Sequence, residues 1–219
     1  MKRPMLVMND GRSFDYHAIA QLRSYIGRDL YPVIASGQSV CVGSMIDFKD
    51  NDGKESMMND NWDLGCVKFN NGSVISHQFS YVCKKAPFRT IQSLRSYSQN
   101  GTILTGKIDN KDNDYEIIDI RVLNDSDKET KKMKVEVDRS ESGTVRKIYD
   151  PITGALWINE FSEYDLSDFE VAIAKHISSL IGVCNGGDPL YSVKDAFFDF
   201  LIVSAIKQAC YTSTSVKFS

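Results

Sequence analysis

The sequence lacks the features that mark membrane, secreted and nucleic-acid-binding proteins. No apolar run approaches the roughly 20 residues that span a bilayer, and the apolar stretch at the start is too short for a signal peptide. Lys and Arg number 26 against 29 Asp and Glu, a net charge of −3, which is unlike the basic surface that binds phosphate backbones. We therefore expect a cytoplasmic protein that binds neither membrane nor nucleic acid.

Cysteine is scarce, and its spacing suggests neither a metal site nor a disulfide framework. The five cysteines are an odd number, and none forms a Cys-x-x-Cys pair. No His and carboxylate pair has metal-ligand spacing either, so no bound metal is expected. Because free cysteine is among the most buried residue types, we predict reduced and mostly buried thiols. The five are Cys41, Cys66, Cys83, Cys184 and Cys210.

What the sequence does contain is a composition typical of globular proteins. Hydrophobic residues are 42% and charged residues 25% of the 219 residues, enough to bury one substantial core. We predict a single domain over residues 1–219.

Apolar periodicity and capping patterns predict three helices. The first runs from Ser13 to about Arg28. Ser167 and Ser192 begin two more, each with an acidic residue three positions later, as in a capping box. In the second helix an apolar stripe of Ile173, Ile177 and Leu180 is expected to be buried, which makes His176 a core or interface histidine.

Alternating residues predict a series of strands. Residues 31–48 suggest two strands broken at Gly37-Gln38, and residues 49–61 read as polar loop. The clearest hairpin joins 62–69 to 73–82 through an Asn-Gly turn. Its second strand has Ile75, His77, Phe79 and Tyr81 on one side and Val74, Ser76, Gln78 and Ser80 on the other. Further strands are predicted at 88–97, 101–108, 115–123, 132–138 and 216–218.

Three segments, taken in order, resemble one known family. The first is the hairpin Leu64-Gly-Cys-Val-Lys-Phe-Asn-Asn-Gly-Ser-Val. The second is Leu94-Arg-Ser-Tyr-Ser-Gln-Asn-Gly-Thr-Ile-Leu-Thr-Gly. The third is the ending, Gly187-Asp-Pro-Leu-Tyr-Ser-Val-Lys-Asp-Ala with Ala205-Ile-Lys-Gln-Ala-Cys and Ser215-Val-Lys-Phe. Together they resemble the carboxy-terminal domain of Gfo/Idh/MocA-type oxidoreductases.

This resemblance implies an α+β fold with a large open, mostly antiparallel sheet and helices packed on one face. It implies a role in binding a sugar or cyclitol substrate for an NAD(P)-dependent dehydrogenase, and a homo-oligomer formed through the sheet face. The family's Rossmann domain carries Gly-x-Gly-x-x-Gly, which occurs nowhere here. We therefore expect a domain truncated at its amino end, with no cofactor-binding residues of its own. A separate Rossmann-domain partner is one alternative.

The resemblance also suggests candidate site residues. His17 stands ten residues before Gly27, the spacing that the family keeps between its acid/base histidine and the glycine that ends its helix. Where the family has Asp, four residues before that histidine, this chain has Ser13, and Asp15 is the nearer carboxylate. His17 and Asp15 are therefore the catalytic candidates. Arg12 and Ser13 are the substrate-binding candidates, with an ordinary turn at 10–12 as the alternative.

Two functional hypotheses remain open from the sequence. In the first the chain is the substrate and oligomerisation domain of a dehydrogenase, inactive without a Rossmann partner. In the second it is a non-catalytic binding or scaffold protein derived from that family, which keeps the open sheet as an interaction surface.

Overall fold

The structure is a computed structural model. It describes residues 3–10, 15–44, 48–49, 55–56, 59–80, 91–110, 113–123, 129–151 and 154–218. The helices are α1 (Asp15–Ile26), α2 (Asp168–Cys184) and α3 (Val193–Thr212). The strands are β1 (Leu6–Asp10), β2 (Pro32–Ser44), β3 (Phe48–Lys49), β4 (Glu55–Ser56), β5 (Asn59–Phe69), β6 (Val74–Ser80), β7 (Ile91–Ser98), β8 (Gly101–Asn110), β9 (Asn113–Leu123), β10 (Thr130–Met133), β11 (Glu136–Arg139), β12 (Val145–Asp150), β13 (Gly154–Ile158) and β14 (Val216–Lys217).

The chain divides into two compact units. Unit 1 comprises Met1–Thr130 and Lys194–Ser219, and unit 2 comprises Lys131–Val193. Along the chain, unit 2 thus lies between the two segments that make up unit 1. Among the described residues, no helix combines the length and apolar character that a membrane span requires.

A nine-stranded sheet forms the body of unit 1, and β10 at its edge spans the boundary between the units. The strand order is β10-β9-β8-β7-β1-β6-β5-β2-β14. β1 runs parallel to β6, whereas β1 with β7, β2 with β5, β5 with β6, β7 with β8, β8 with β9 and β2 with β14 are antiparallel. The predicted α+β class with a mostly antiparallel sheet is confirmed.

Helices α1 and α3 both pack on one face of this sheet. Ile19 and Leu22 of α1 and Ile202 and Ile206 of α3 share one buried cluster with inward residues of β1, β2, β5, β6 and β7. Those sheet residues are Val7, Ala35, Val67, Phe69, Ile75 and Leu94. The opposite face, which we call the open face, carries the alternate residues of each strand.

Two glycines let α3 approach the sheet closely. A Cβ atom on Gly65 of β5 would overlap the side chain of Ile206, and one on Gly37 of β2 would lie 2.5 Å from the sulfur of Cys210. Gly37 and Gly65 are register partners across β2 and β5. The predicted break at Gly37-Gln38 is therefore wrong: β2 is continuous, and Gly37 serves helix packing rather than a turn.

The predicted hairpin is confirmed as β5 and β6. Gly72 lies in its turn at φ +85°, a conformation that favours glycine. Ile75, His77 and Phe79 are buried towards the helices, so the other set on β6, including Ser76 and Gln78, lies on the open face. Tyr81 is outside the described residues.

Unit 2 contains the sheet β11-β12-β13 and α2, whose predicted capping box between Ser167 and Glu170 is confirmed. The expected burial of its stripe is wrong, because α2 has no buried residue and His176 is exposed. Val145 is the one buried apolar side chain among the described residues of this unit. The exposed large apolar side chains of unit 2 are Leu156, Trp157, Ile158, Tyr164, Phe169, Ile173, Ile177, Leu180, Ile181, Val183 and Leu190, with Val193 at the start of α3.

Other boundaries also differ from the sequence predictions. β1, β12 and β13 were not predicted, and the strand expected at 132–138 is split between β10 and β11. The expected loop at 49–61 contains the end of β3, β4 and the start of β5, and its remaining residues lie outside the described ones. Three thiols, of Cys41, Cys66 and Cys184, are exposed, so the expectation of mostly buried thiols is wrong for the described part of the chain. Cys83 lies outside it.

Replacing Gly65 by alanine should destabilise the protein. The added methyl must displace Ile206, and overpacking of this kind costs about 1–3 kcal/mol. Gly182, in α2, is the matched control, because a Cβ there meets no atom within 4 Å and Gly→Ala inside a helix stabilises by about 1 kcal/mol. Urea unfolding of both variants measures the two effects. Equal free energies of unfolding for Gly65→Ala and the parent chain would contradict the close approach of α3.

Candidate functional site

Polar side chains gather where β1 ends and α1 begins, on the helix-covered side of the sheet. Asn9, in β1, is 4% exposed, and its Nδ2 donates a hydrogen bond to Oε1 of Gln21, in α1, at 2.9 Å. Gln21 is exposed. A buried amide of the sheet therefore holds the side chain of a helix residue that solvent can reach.

His17 lies one helical turn before Gln21, towards the start of α1. Residues four apart on a helix are neighbours on the same face, so His17 and Gln21 share one edge of this region. The imidazole is exposed, and its ring centroid lies 4.0 Å from that of Tyr16. A solvent-accessible imidazole can exchange protons near neutral pH.

His77 continues the polar region into the core. It is 3% exposed and is the register partner of Asn9 across β1 and β6. Its ring stacks against Phe79, with centroids 5.9 Å apart and planes at 23°. The residues His17, Gln21, Asn9 and His77 thus form a row that leads from solvent to the sheet, which we call the polar row.

A small cavity of about 10 Å³ lies beside His77. It is lined by Ile19, Asp63, His77, Phe79, Val203, Ile206 and Lys207. A volume of this order holds at most one water molecule. The cavity therefore brings a carboxylate and an ammonium group near His77 but leaves no room for a molecule larger than water.

Cys210 lies close to the same region but is not a nucleophile. Burial raises the pKa of its thiol to about 11, the nearby Asp63 carboxylate acts in the same direction, and a hydrogen bond with the backbone of Leu64 opposes them. Because the thiolate is the reactive form, the raised pKa and the burial of Cys210 disfavour it as a nucleophile.

The structure describes two of the four site residues predicted from the sequence, His17 and Asp15. His17 lies at the mouth of the polar row, and Asp15 is the first residue of α1. Arg12 and Ser13 lie outside the described residues, so their roles stay predictions. Within the part that the structure describes, no three metal-ligating side chains converge.

Sequence reasoning missed Asn9, Asp63 and Lys207 and placed His77 only on one side of a predicted strand. That side, shared with Ile75 and Phe79, is the buried one. Asn9, the neighbour of His77, could not be found in this way, because β1 itself was not predicted.

Comparison with known proteins gives likenesses of fold. No protein-family model and no curated protein matches the chain. An NAD-binding oxidoreductase from Klebsiella pneumoniae matches with a TM-score of 0.64 at 11% identity, over 100% of this chain and 60% of its own. Levoglucosan dehydrogenase in complex with NADH matches with a TM-score of 0.62 at 13% identity, over 100% of this chain and 59% of its own. Aldose-aldose oxidoreductase from Caulobacter crescentus matches with a TM-score of 0.53 at 12% identity, over 100% of this chain and 56% of its own.

At identities of 11–13% these matches show the fold alone, and the fold is shared with solved oxidoreductases. More particularly, the chain has the fold of the carboxy-terminal domain of Gfo/Idh/MocA-type oxidoreductases, which confirms the resemblance first noted in the sequence. The chain spans about 60% of the length of the solved proteins that it matches.

Cys210 should resist alkylation at pH 8.5. With a pKa of about 11 instead of the ordinary 9.0, its thiolate fraction is lower by nearly a hundredfold, and burial slows the reaction further. Peptide mapping after iodoacetamide treatment should find exposed Cys66 labelled at least a hundredfold faster. In guanidinium chloride the two rates should converge. Equal rates in the folded chain would contradict the burial of Cys210 between α3 and the sheet.

Proposed function

We propose that this chain is the substrate-binding and oligomerisation domain of an NAD(P)-dependent oxidoreductase that acts on a hydroxyl group of a sugar or cyclitol. The observation that carries the proposal is the match of its whole length to enzymes of this kind. One of them is levoglucosan dehydrogenase solved with NADH and L-sorbose, at a TM-score of 0.62. The polar row supplies the groups that such a reaction requires.

Oxidation of a carbinol releases a proton from the hydroxyl as hydride leaves the carbon. His17 is the base in this proposal, because an imidazole accepts a proton near neutral pH and its exposed ring is open to a bound substrate. Asp15 is proposed to act with it as a second catalytic residue, and Arg12 and Ser13 are proposed to bind the substrate.

Gln21 is suited to bind a substrate oxygen beside His17. Its Oε1 accepts the hydrogen bond from Asn9, so its Nε2 group is the part of the amide left to donate. Because Asn9 is buried in the sheet, it holds this amide in place and lowers the entropy cost of ordering Gln21 around a substrate.

The sequence itself does not contain the turn that binds a dinucleotide. A pyrophosphate-binding turn between a strand and a helix carries closely spaced glycines in the pattern Gly-x-Gly-x-x-Gly, and this pattern occurs nowhere in the 219 residues. We propose that NAD or NADP is held by a nucleotide-binding domain outside these 219 residues, whether on the same polypeptide or on a separate one.

Oligomerisation is proposed to use the open face of the nine-stranded sheet. The helices cover one side of the sheet, and a sheet face without cover is a natural site for association. On β5 and β6 the open face presents Leu64, Cys66, Ser76 and Gln78, and on β7 it presents Arg95 and Tyr97. A second copy of this chain is the proposed occupant.

Turnover in a complex with a nucleotide-binding domain should depend on His17. Loss of a general acid or base lowers turnover by about 10²–10⁴-fold, so His17→Ala should reduce NAD(P)H formation by that factor. The matched control is His176→Gln, an exposed histidine of α2 whose replacement should leave turnover nearly unchanged. Full turnover in His17→Ala would show that His17 is not the base. The base would then be Asp15 or a residue of the nucleotide-binding domain.

The isolated chain should associate through the open face. Ser76→Arg places a long cation at its centre, where Ser76 lies 3.6 Å from the sulfur of Cys66, and should halve the mass measured by light scattering. Gln208→Arg adds the same charge to an exposed position of α3 and should leave the mass unchanged. A parent chain that scatters as a monomer of 24.6 kDa would refute this assembly, while leaving the His17 experiment unaffected.

A further inference from the structure

Arg23 connects α1 to α3 through a buried guanidinium group. Its side chain is 2% exposed and that of Asp199, in α3, is 1% exposed. Nη1 of Arg23 donates to Oδ1 of Asp199 at 2.6 Å and to the carbonyl oxygen of Asp195 at 3.1 Å. Nη2 donates to the carbonyl oxygen of Arg28 at 2.9 Å, and the ring centroid of Phe198 lies 5.7 Å from Cζ. One side chain of α1 therefore contacts three residues of α3 and the connection that follows α1.

Stability alone does not favour an ion pair in this place. Moving two charges out of water costs about as much as their attraction gains, so well-packed apolar side chains of similar volume are often as stable or more stable. Residues near the pair along each helix already belong to the buried apolar cluster, namely Leu22 and Ile26 in α1 and Ile202 and Val203 in α3. What the ion pair adds is direction, because hydrogen bonds weaken steeply when their atoms are misaligned.

Gln21 is held on the other side of α1. Successive residues of an α-helix are roughly 100° apart around its axis, so Gln21 and Arg23 lie on different sides of α1. Asn9, buried in β1, donates to Oε1 of Gln21 at 2.9 Å. The sheet and α3 thus each bind one polar side chain of α1, and together the two contacts define the rotation of α1 about its own axis. That rotation also decides the direction in which His17 projects.

We propose that Arg23 is a positioning residue for the polar row. Its pairing with Asp199 selects the rotation of α1 at which Gln21 meets Asn9 and His17 lies beside Gln21. Without the pair, the apolar side of α1 can adopt other rotations on the same sheet surface, because apolar attraction is non-directional. This positioning is a property of the fold of unit 1, whereas its effect on turnover rests on the proposed function.

The test replaces the ion pair by an apolar pair in the full chain. Arg23→Met combined with Asp199→Leu should unfold at a urea concentration equal to or above that of the parent, because two charges no longer lose their hydration on folding. The side-chain amide of Gln21 should nevertheless lose its fixed placement. Its order parameter from NMR relaxation should fall from about 0.85, typical of rigid groups, to below about 0.6.

Arg3→Gln is the matched control. Arg3 forms an ion pair with Asp29 at 3.0 Å, but the two side chains are 50% and 66% exposed, and an exposed pair contributes little. Both the urea midpoint and the order parameter of Gln21 should equal those of the parent. In a complex with a nucleotide-binding domain, turnover should fall by up to about a hundredfold in the apolar double variant and stay unchanged in Arg3→Gln.

The proposal is overturned if the Gln21 amide is already mobile in the parent, or if it keeps the order of the parent in the double variant. If the double variant does not fold, Arg23→Lys takes its place. An ammonium keeps the charge opposite Asp199 but cannot reproduce the planar group that also reaches Asp195 and Arg28. The Gln21 amide should again become mobile, and unchanged order would overturn the proposal. A mobile amide with full turnover would support the positioning of α1 and count against the proposed reaction at this site.

Discussion

The packing of α3 against the large sheet is the constraint on which the rest of unit 1 depends. Gly37 and Gly65 lie side by side on β2 and β5. The space that a Cβ would take at each is filled by a side chain of α3, that of Cys210 at Gly37 and that of Ile206 at Gly65. A side chain at either position would lift α3 from the sheet. Because dispersion contacts weaken steeply with distance, the buried cluster that joins α3 to β5 and β6 requires this approach.

A buried ion pair joins α1 to α3. Nη1 of Arg23 lies 2.6 Å from Oδ1 of Asp199, and both side chains are almost fully buried. The same guanidinium donates to the carbonyl oxygens of Arg28, at 2.9 Å, and of Asp195, at 3.1 Å. Such a pair adds little net stability over an apolar substitute, but breaking one side costs about 3–5 kcal/mol. Its main effect is to select one placement of α1, and with it the position of His17 and Gln21.

The sequence was informative where local chemistry decides structure. The hairpin followed from an Asn-Gly turn, α2 from its capping box, and the inward side of β6 from simple alternation. It failed where the outcome depends on distant contacts. Gly37 looked like a strand break because a glycine that admits a helix and a glycine that makes a turn are identical in sequence. β1 was missed because its five residues are too short for a periodic signal.

The same distinction explains the candidate site and the exposed helix of unit 2. A resemblance of motifs located His17, but Asn9 and His77 come together through the parallel pairing of β1 with β6, which no local pattern encodes. Periodicity likewise indicated which side of α2 is apolar, but the predicted burial of that side is wrong, because none of the residues of α2 is buried. Periodicity reports which side of a helix is apolar and does not report what packs against it. Burial and the meeting of Asn9 with His77 are both set by contacts between segments far apart in sequence, which is why neither could be read from local patterns.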